Sequence, residues 1–376
     1  MDHIGIGLIG SGFMGKCHAM AFGAVRAVFG DVPAPRLEIL CDTPAEKARA
    51  MAAQFGFARA IDDWRALVAD PAVEIVAITT PNKLHREMAL AAIAAGKHVY
   101  CEKPMGLTLE DARVMRDAAR AAGVRTLVGY NYTRNPALAH ARRLMTSGAI
   151  GRPTQFRGVV DEDYQADGEA PWSWRCVTAE AGLGALGDLG CHLVSVATML
   201  MGPIESLTAE LQSVYADRPQ AGGGERRAVE NEDAANALVR FASGAKGSLG
   251  MSRTAWGRKN RIAFEIHGTR GSILYDQERM NELSLFQPGE GPESQQTQGF
   301  RTILTGPTHP PYDRFCPAPG HGLGFNDLKV IEVAELLRAV RDGTPLWPDF
   351  DAAFEIESVI HAMVEASERD ARVVLA

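Results

Sequence analysis

The amino-acid sequence predicts an α/β protein of two domains: a doubly wound parallel sheet comes first, followed by an α+β domain with a mostly antiparallel sheet. Three observations support this prediction. The chain has 376 residues, which is more than one hydrophobic core usually organises. Up to about residue 150, short apolar runs alternate with longer amphipathic segments, which is the pattern of repeated βαβ units. After that point, longer alternating runs with few helices between them favour antiparallel strands.

The elements of the N-terminal domain follow from this alternation. The five predicted strands are Ile4 to Ile9, Leu37 to Cys41, Glu74 to Thr79, His98 to Cys101 and Thr126 to Tyr130. The helical segments between them include Ala45 to Gln54, Leu84 to Ala95 and Leu109 to Ala121. A glycine follows each of these helices, at Gly56, Gly96 and Gly123, where a helix C-terminus favours a residue that tolerates positive φ. We place this domain at residues 1–133.

The second domain is placed at residues 134–376 and begins with a helix over Pro136 to Ser147 and a linker over 148–153. The predicted strands are Thr154 to Val160, Glu205 to Val214, Ala234 to Phe241, Ala245 to Ser252, Ile262 to His267 and Ser272 to Tyr275. The predicted helices are Asp188 to Met201, Asn326 to Arg341 and Ala352 to Arg369. Residues 222–224, 287–298 and 307–324 are predicted to be loops.

The composition excludes several classes of function. The formal net charge of -7 disfavours a dedicated nucleic-acid binder, so a small-molecule partner fits better. The six cysteines contain no C-x-x-C pair, which argues against a zinc ribbon or a dense disulfide framework. No apolar run reaches the roughly 20 residues that span a bilayer. The N-terminus has neither a basic segment nor a cleavage site before the first strand, so we expect a cytoplasmic protein.

The run Gly10-Ser11-Gly12-Phe13-Met14-Gly15 matches the G-x-G-x-x-G pattern of a phosphate-binding loop. It follows a predicted strand and opens a predicted helix, and this is the context in which the pattern is informative. Gly10 would permit the tight turn, Gly12 the approach of a pyrophosphate, and Gly15 close packing of helix on strand. The helix N-terminus would supply N–H donors to the phosphate. The alternative is a glycine-rich turn that binds nothing.

Asp42 ends the second predicted strand, where a carboxylate can bind an adenosine ribose and repel a 2′-phosphate. This position favours NAD over NADP. The interval from Gly15 to Asp42 is 42 − 15 = 27 residues, longer than the usual figure of about 20. Asp31 is a rival for the role, although a turn residue beside Val32 and Pro33 is its simpler interpretation. Asp42 could instead be the N-cap of the following helix.

Two further segments lie just past predicted strands, at the edge where a doubly wound sheet binds its ligand. The first contains Thr80, Pro81, Asn82 and His85, and the second is Glu102-Lys103-Pro104. A lysine at such a strand end, followed by a proline that stiffens the turn, can donate to a reacting hydroxyl or transfer a proton. A solvated surface charge is the alternative for Lys103.

Together, these motifs resemble the glucose-fructose oxidoreductase, inositol dehydrogenase and rhizopine-catabolism (Gfo/Idh/MocA) family. The residues that carry the resemblance are the glycine loop, Thr80-Pro81-Asn82 with His85, the stretch from Ala94 to Pro104, and Gly129-Tyr130-Asn131. The resemblance implies a Rossmann domain followed by a domain whose open sheet often forms dimers or tetramers, so we expect a homodimer or homotetramer. It also implies that Lys103 lies beside the nicotinamide and substrate, and that Glu102 and Asn131 belong to the cofactor site.

Asp188 and His192 lie four residues apart at the start of a predicted helix, so they project from one helical face. His192 can accept a hydroxyl proton, because the pKa of histidine lies near neutrality. Asp188 can orient a neighbouring hydroxyl or the imidazole. From spacing alone, an Asp N-cap with a core histidine one turn later explains the pair equally well. The family resemblance implies that the two residues are catalytic together with Lys103.

Three further residues are weaker candidates for substrate binding. Trp174 can stack on a sugar ring and Arg175 can bind hydroxyls, although ordinary packing explains the tryptophan as well. Tyr312 lies in the 307–324 loop, which we expect to be a substrate lid or an intersubunit arm. The histidines of this loop show no metal-ligand spacing, so no metal is expected.

The sequence therefore predicts an NAD-dependent oxidoreductase that takes a hydride from a secondary hydroxyl of a sugar, inositol or related polyol, with His192 as base. Two alternatives remain open. One is an NAD-dependent glycosidase that cleaves its substrate through transient oxidation. The other is a non-enzymatic sensor of NAD or sugar on the same fold.

Overall fold

A computed structural model of the chain describes residues 2–290 and 292–375. The chain divides into two compact units, the first comprising residues up to Arg134 with Gly324–Glu357, and the second Asn135–Leu323 with Ser358 onward. The first division lies one residue past the predicted boundary at 133/134. Residues 324–357 were placed in the second domain, and the structure corrects this: Lys329 pairs with Glu102, 227 residues earlier in the chain.

The first unit is built on six parallel strands with the order β3-β2-β1-β4-β5-β6. The strands are β1 (His3–Ile9), β2 (Ala34–Cys41), β3 (Arg59–Ile61), β4 (Ile75–Ile78), β5 (His98–Cys101) and β6 (Thr126–Val128). The order reverses between β1 and β4, where Ile9 pairs with Ile78. The loops that follow these two strands are therefore neighbours at the carboxyl edge of the sheet, where doubly wound folds bind their ligands.

The helices of this part of the chain connect successive strands. They are α1 (Phe13–Val28), α2 (Ala45–Phe55), α3 (Trp64–Ala69), α4 (His85–Ala94) and α5 (Leu109–Ala122). Strand β3 and helix α3 are not predicted from the sequence, because three- and six-residue elements are too short to show a clear period. The prediction of a parallel sheet is confirmed, since β1 pairs in parallel with both β2 and β4. Its successive residues Leu8 and Ile9, which point to opposite faces, are 0% and 2% exposed.

The second unit contains a nine-stranded sheet with the order β16-β15-β14-β13-β7-β12-β11-β8-β17. The strands of this sheet are β7 (Pro153–Asp161), β8 (Ile204–Gln212), β11 (Ala234–Phe241), β12 (Lys246–Ser252), β13 (Arg261–Gly268), β14 (Ser272–Asp276), β15 (Glu282–Phe286), β16 (Arg301–Leu304) and β17 (Val373–Val374). Two further strands, β9 (Asp217–Pro219) and β10 (Arg226–Ala228), form a separate hairpin. Only the β7–β12 pair is parallel among the described strands of this sheet. A mostly antiparallel sheet is thus confirmed, whereas β9, β10, β15, β16 and β17 were not predicted.

The remaining helices are α6 (Pro136–Thr146), α7 (Thr178–Ala181), α8 (Cys191–Met201), α9 (Tyr312–Phe315), α10 (Phe325–Asp342) and α11 (Phe350–Arg369). Helix α10 packs on α1 within the first unit, and α11 passes from the first unit into the second after Glu357. On the sheet of the second unit, Leu238 is 66% exposed on β11. The dimer or tetramer contact expected on this sheet stays a prediction.

The predicted helix from Asp188 to Met201 is interrupted in the structure. A π-helical turn over Leu186–Gly190 leads into α8, and such turns are frequent at functional sites. The whole helical stretch Thr178–Met201 is long and apolar enough to cross a membrane by length and composition, contrary to the expectation that no apolar run in the chain reaches that length. Because 78% of its most apolar window is buried and α8 packs on β7, we interpret it as a core helix.

Candidate active site

The glycine loop of the first unit has the geometry that a phosphate-binding turn requires. Gly10 has a φ of +95°, and its N–H donates to the carbonyl of Cys41 over 2.9 Å. A Cβ on Gly15 would lie 2.2 Å from the carbonyl oxygen of Gly10, whereas a Cβ on Gly12 would have nothing within 4 Å. Gly10 therefore makes the turn, Gly15 allows the close packing, and Gly12 leaves the backbone accessible to a ligand.

Phe13 and Met14, which lie between Gly12 and Gly15, begin helix α1. Phe13 is 72% exposed, and its ring stacks on Phe325 with 5.9 Å between centroids. Tyr132 also packs on Phe325 in an edge-to-face arrangement, with 5.9 Å between centroids. Met14 is half-buried. Sequence reasoning missed Phe325, because it reaches the loop from a helix more than 300 residues later in the chain.

Asp42 lies at the end of β2 and is bound to the glycine loop. Its Oδ2 accepts hydrogen bonds from the backbone N–H (2.8 Å) and the hydroxyl of Ser11 and lies 2.9 Å from Lys47 Nζ. Burial alone would raise the pKa of Asp42, but the bonds from Ser11 and Lys47 outweigh it and hold the pKa below its usual value. The carboxylate stays charged beside the loop.

The contacts exclude one of the two alternatives for this region and give Asp31 a partner of its own. Helix α2 begins after Pro44 and receives no side-chain cap, so Asp42 is not its N-cap. Asp31 instead accepts two hydrogen bonds from Arg338 of α10, at 2.9 and 3.0 Å.

The segment after β4 is fixed by His85. This imidazole is fully buried, with Nε2 3.0 Å from the carbonyl oxygen of Thr80 and Nδ1 2.9 Å from that of Pro104. Burial lowers the pKa of His85, while the two carbonyl groups act in the opposite direction. His85 therefore ties the Thr80-Pro81-Asn82 turn to the Glu102-Lys103-Pro104 turn, and its burial prevents direct contact with a cofactor.

Glu102 is also buried, with only 4% of its surface exposed. Its Oε1 lies 2.7 Å from Lys329 Nζ and 2.7 Å from His18 Nε2. Burial alone would raise the pKa of Glu102, but Lys329 and His18 outweigh it and hold the pKa well below its usual range. Glu102 Oε2 accepts the backbone N–H of Lys103 at 3.3 Å. The Glu102 carboxylate therefore helps to fix the backbone at the half-buried Lys103.

A buried ionic cluster surrounds this glutamate, and sequence reasoning missed it. Lys329 is fully buried and lies 3.1 Å from Glu332, which accepts a hydrogen bond from the hydroxyl of Tyr100. The ring of Tyr100 stacks on His18 with 4.1 Å between centroids. Burial alone would lower the pKa of Lys329, but Glu102 and Glu332 outweigh it and raise the pKa. The i, i+3 spacing of Lys329 and Glu332 was visible, yet it is indistinguishable from a surface pair.

Asn131 is a further predicted cofactor-binding residue of the first unit. Asn131 is 2% exposed, and among residues 2–290 and 292–375 its buried Nδ2 has no hydrogen-bond partner. A buried amide without an acceptor costs free energy unless a ligand satisfies it. This observation fits a cofactor carbonyl or hydroxyl at the predicted position.

In the second unit, Asp188 lies within the π-turn and is not an N-cap: Gly190 precedes α8 and Ala185 precedes the turn. Its Oδ2 accepts a hydrogen bond of 2.7 Å from the hydroxyl of Tyr164 and lies 3.7 Å from Arg175 Nε. Sequence reasoning missed Tyr164, because nothing in the run Asp161 to Tyr164 distinguishes it from an ordinary loop aromatic.

His192 lies in the first turn of α8 and is 5% exposed. Its carbonyl accepts a hydrogen bond of 2.7 Å from Ser195 Oγ, one turn later. The Asp188–His192 spacing across the π-turn keeps both residues at one end of the helix. An acid and an imidazole are thus held on a rigid element, as general acid–base chemistry requires.

Of the three residues predicted to bind substrate, the structure leaves two as candidates and excludes the third. The Arg175 guanidinium lies 4.7 Å from the ring of Trp174 and is 45% exposed beside Asp188, so both residues remain candidates. Tyr312 does not: it is fully buried, and its hydroxyl accepts the N–H of His321 at 3.0 Å. The prediction of a substrate contact is corrected here, because Tyr312 packs inside the 307–324 loop and holds it together.

Comparison with known proteins gives matches to both parts of the chain. Residues 4–130 match the family model described as oxidoreductase family, NAD-binding Rossmann fold. Residues 138–274 match the model described as the GFO/IDH/MocA C-terminal domain.

Two similar proteins and one solved structure cover most of the chain. Levoglucosan dehydrogenase of Pseudarthrobacter phenanthrenivorans is 38% identical over 98% of this chain and 97% of its own length. 1,5-Anhydro-D-fructose reductase of Ensifer adhaerens is 36% identical over 71% of this chain and 74% of its own. A solved structure of levoglucosan dehydrogenase in complex with NADH and levoglucosan is 37% identical, covers 99% of both chains and superposes with a TM-score of 0.95.

Proposed function

Because this chain belongs to the Gfo/Idh/MocA family of NAD-binding oxidoreductases, we propose that it oxidises a secondary hydroxyl of a sugar or polyol with NAD. The observation that carries the proposal is the presence, in one chain, of a complete phosphate loop in the first unit and of Asp188 and His192 on one rigid helix end in the second. A binding protein without turnover needs the first feature and not the second.

The residues of the first unit fit NAD. The glycine loop would hold the pyrophosphate, Asp42 the adenosine ribose, and Asn131 a polar group through its Nδ2. When bound, NAD supplies the acceptor for the hydride that leaves the substrate carbon. His85 and Glu102 act indirectly, because their burial restricts them to holding the surrounding turns.

The proposed proton chemistry belongs to three side chains. His192 takes the proton of the reacting hydroxyl as general base. Lys103 donates a hydrogen bond to the same oxygen and so stabilises the negative charge that develops there. Asp188 binds a neighbouring hydroxyl and fixes the orientation of the sugar. In this scheme the protein needs no metal ion.

We propose an anhydrosugar as the first substrate class to test. The two relatives described above are named for a 1,6-anhydrosugar and for a 1,5-anhydrosugar ketone. An anhydro bridge removes the anomeric hydroxyl, so a site for such a sugar must recognise its ring hydroxyls. Asp188 and Arg175 offer one acceptor and one donor for that purpose.

The experiment is a screen of NADH formation by the purified protein against levoglucosan, other anhydrosugars, inositols, aldoses and alkyl glycosides. We expect NADH to form in step with a keto-sugar product, with the highest kcat/KM on an anhydrosugar. A glycosidase would instead release a free sugar with no net NADH. Tight NAD binding with no turnover on any sugar would support a sensor and contradict the proposal.

Replacing Asp42 by alanine is expected to weaken NAD binding by about tenfold or more and to raise the ratio of kcat/KM for NADP to that for NAD. Losing a hydrogen bond to a charged group costs about 1.5–3 kcal/mol, and removing the carboxylate also removes its repulsion of a 2′-phosphate. Calorimetric titration of the protein with each dinucleotide measures the change without turnover.

The matched control is Asp31→Ala, which removes the same charge from the rival position paired with Arg338. We expect its NAD affinity to stay within about twofold of the original protein. An Asp31 variant that loses NAD affinity, beside an Asp42 variant that keeps it, would reverse the assignment of the two aspartates.

A further inference from the structure

The Asp188 carboxylate is held in place by two side chains of the 162–177 segment, which connects β7 to α7. Tyr164 donates its hydroxyl to Oδ2 over 2.7 Å, and Arg175 Nε lies 3.7 Å from the same oxygen. Burial, followed by the charge of Asp188, raises the pKa of the Tyr164 phenol well above its usual value. The hydroxyl therefore keeps its proton and acts as a hydrogen-bond donor.

The end of the segment that carries Arg175 is fixed by a buried ion pair. Arg253 and Asp233 are 1% and 0% exposed and lie 2.8 Å apart. The Arg253 guanidinium donates to the carbonyl of Arg175 over 3.3 Å, and Asn231 Nδ2 donates to the same carbonyl over 2.9 Å. The backbone of Arg175 is thus held by groups that cannot move without exposing a buried charge.

The end that carries Tyr164 is fixed in a similar way. Arg218 is fully buried and donates to the carbonyl of Gln165 over 2.6 Å. The hydroxyl of Tyr215 donates to the carbonyl of Ala166 over 2.8 Å. Two buried or half-buried side chains therefore hold the backbone of the two residues directly after Tyr164.

From these contacts we propose that Tyr164 is a positioning residue that orients the Asp188 carboxylate for a hydroxyl of the sugar. The terminal torsion of an aspartate is soft, so an unrestrained carboxylate would present its oxygens in many directions. A donor fixed on Oδ2 removes that freedom before the substrate binds. The inference rests on the proposed function and deepens it by adding a residue that determines sugar recognition through Asp188.

The test is a cycle of Tyr164→Phe, Asp188→Asn and the double variant, assayed with NAD and the panel sugar of highest kcat/KM. The phenylalanine keeps the packing and removes one hydrogen bond to a charged group, so we expect kcat/KM to fall about tenfold. In the Asp188→Asn background the same change should lower kcat/KM by less than about twofold, since Tyr164 acts through Asp188.

The matched control is Tyr275→Phe, which removes a phenolic hydroxyl that contacts Asn135 on a different element of the same unit. We expect its kcat/KM to stay within about twofold of the original protein. A role for Tyr164 confined to folding would lower the melting temperature and persist in the Asp188→Asn background, and that result would overturn the inference.

A second readout separates this inference from the proposed function. The affinity of the enzyme–NADH complex for levoglucosan, measured by NADH fluorescence, requires no turnover. If the original protein forms no NADH with any sugar, the proposed function fails and this affinity alone decides the inference. A roughly tenfold weaker affinity in Tyr164→Phe supports it. Equal affinities, or no binding by the original protein, overturn it.

Discussion

Replacing His192 by alanine is expected to lower the kcat of NADH formation by about 10²–10⁴-fold, because a positioned general base contributes that range. NAD affinity should stay within about twofold, since the residues proposed to bind NAD lie in the first unit. His192→Gln keeps much of the volume and hydrogen-bonding capacity but cannot accept the proton, so its kcat should fall to a similar level. Steady-state kinetics and NAD titration of both variants make the comparison.

The control for this prediction is His140→Ala on α6. His140 belongs to the same unit, and its ring packs on His309 with 4.7 Å between centroids. Its kcat should change by less than about twofold. A His192→Ala protein that melts at the same temperature as the original and keeps more than a tenth of its kcat would remove His192 from the mechanism.

The second large effect is expected on stability, at Glu357 of α11. This carboxyl is 1% exposed and accepts a hydrogen bond of 2.8 Å from the backbone N–H of Met105, two residues after Lys103. Burial raises the pKa of Glu357 from 4.5 to about 7. The folded protein therefore holds this proton more tightly than the unfolded chain does. The contribution of the protonated carboxyl to the free energy of unfolding is complete below about pH 4.5 and is lost as the pH rises through 7.

Glu357→Gln, which mimics the protonated acid, should therefore raise the free energy of unfolding at pH 8 by about 3 kcal/mol, at 1.36 kcal/mol for each unit of the pKa difference. Near pH 5 it should change little. Thermal melts across this pH range measure the difference. Glu355→Gln removes the same charge from an exposed site of α11 and should show no such trend. Equal melting curves for Glu357→Gln and the original protein at pH 8 would contradict the prediction.

Much of the first unit could be predicted from the sequence, because its signals are local. The apolar runs of β1, β4 and β5 are buried on both faces, and the glycine loop needs three glycines at fixed positions whatever surrounds it. The same is true of the Asp188–His192 pair, whose spacing is set by a single helix end. Such patterns depend on neighbours within one turn, so a sequence shows them directly.

What could not be predicted depends on residues far apart in the chain. The pairing of Lys329 with Glu102 draws α10 into the first unit across 227 residues, and no local pattern distinguishes this lysine from a surface one. Tyr164 and Asp188 are likewise 24 residues apart. For Tyr312 the sequence predicted a ligand contact that the structure does not allow. Its side chain is fully buried, and its hydroxyl accepts a hydrogen bond from His321 within the same loop.

The proposed mechanism requires Lys103 and His192 to act on the same substrate oxygen. The most direct test is the kcat of Lys103→Ala, His192→Ala and the double variant on the same sugar. Groups that act together in one step are strongly non-additive, so we expect the double variant to lie within about threefold of the slower single variant. If the decreases in kcat of the two single variants multiply in the double variant instead, the residues act independently, and the proposal that they act on one oxygen is contradicted.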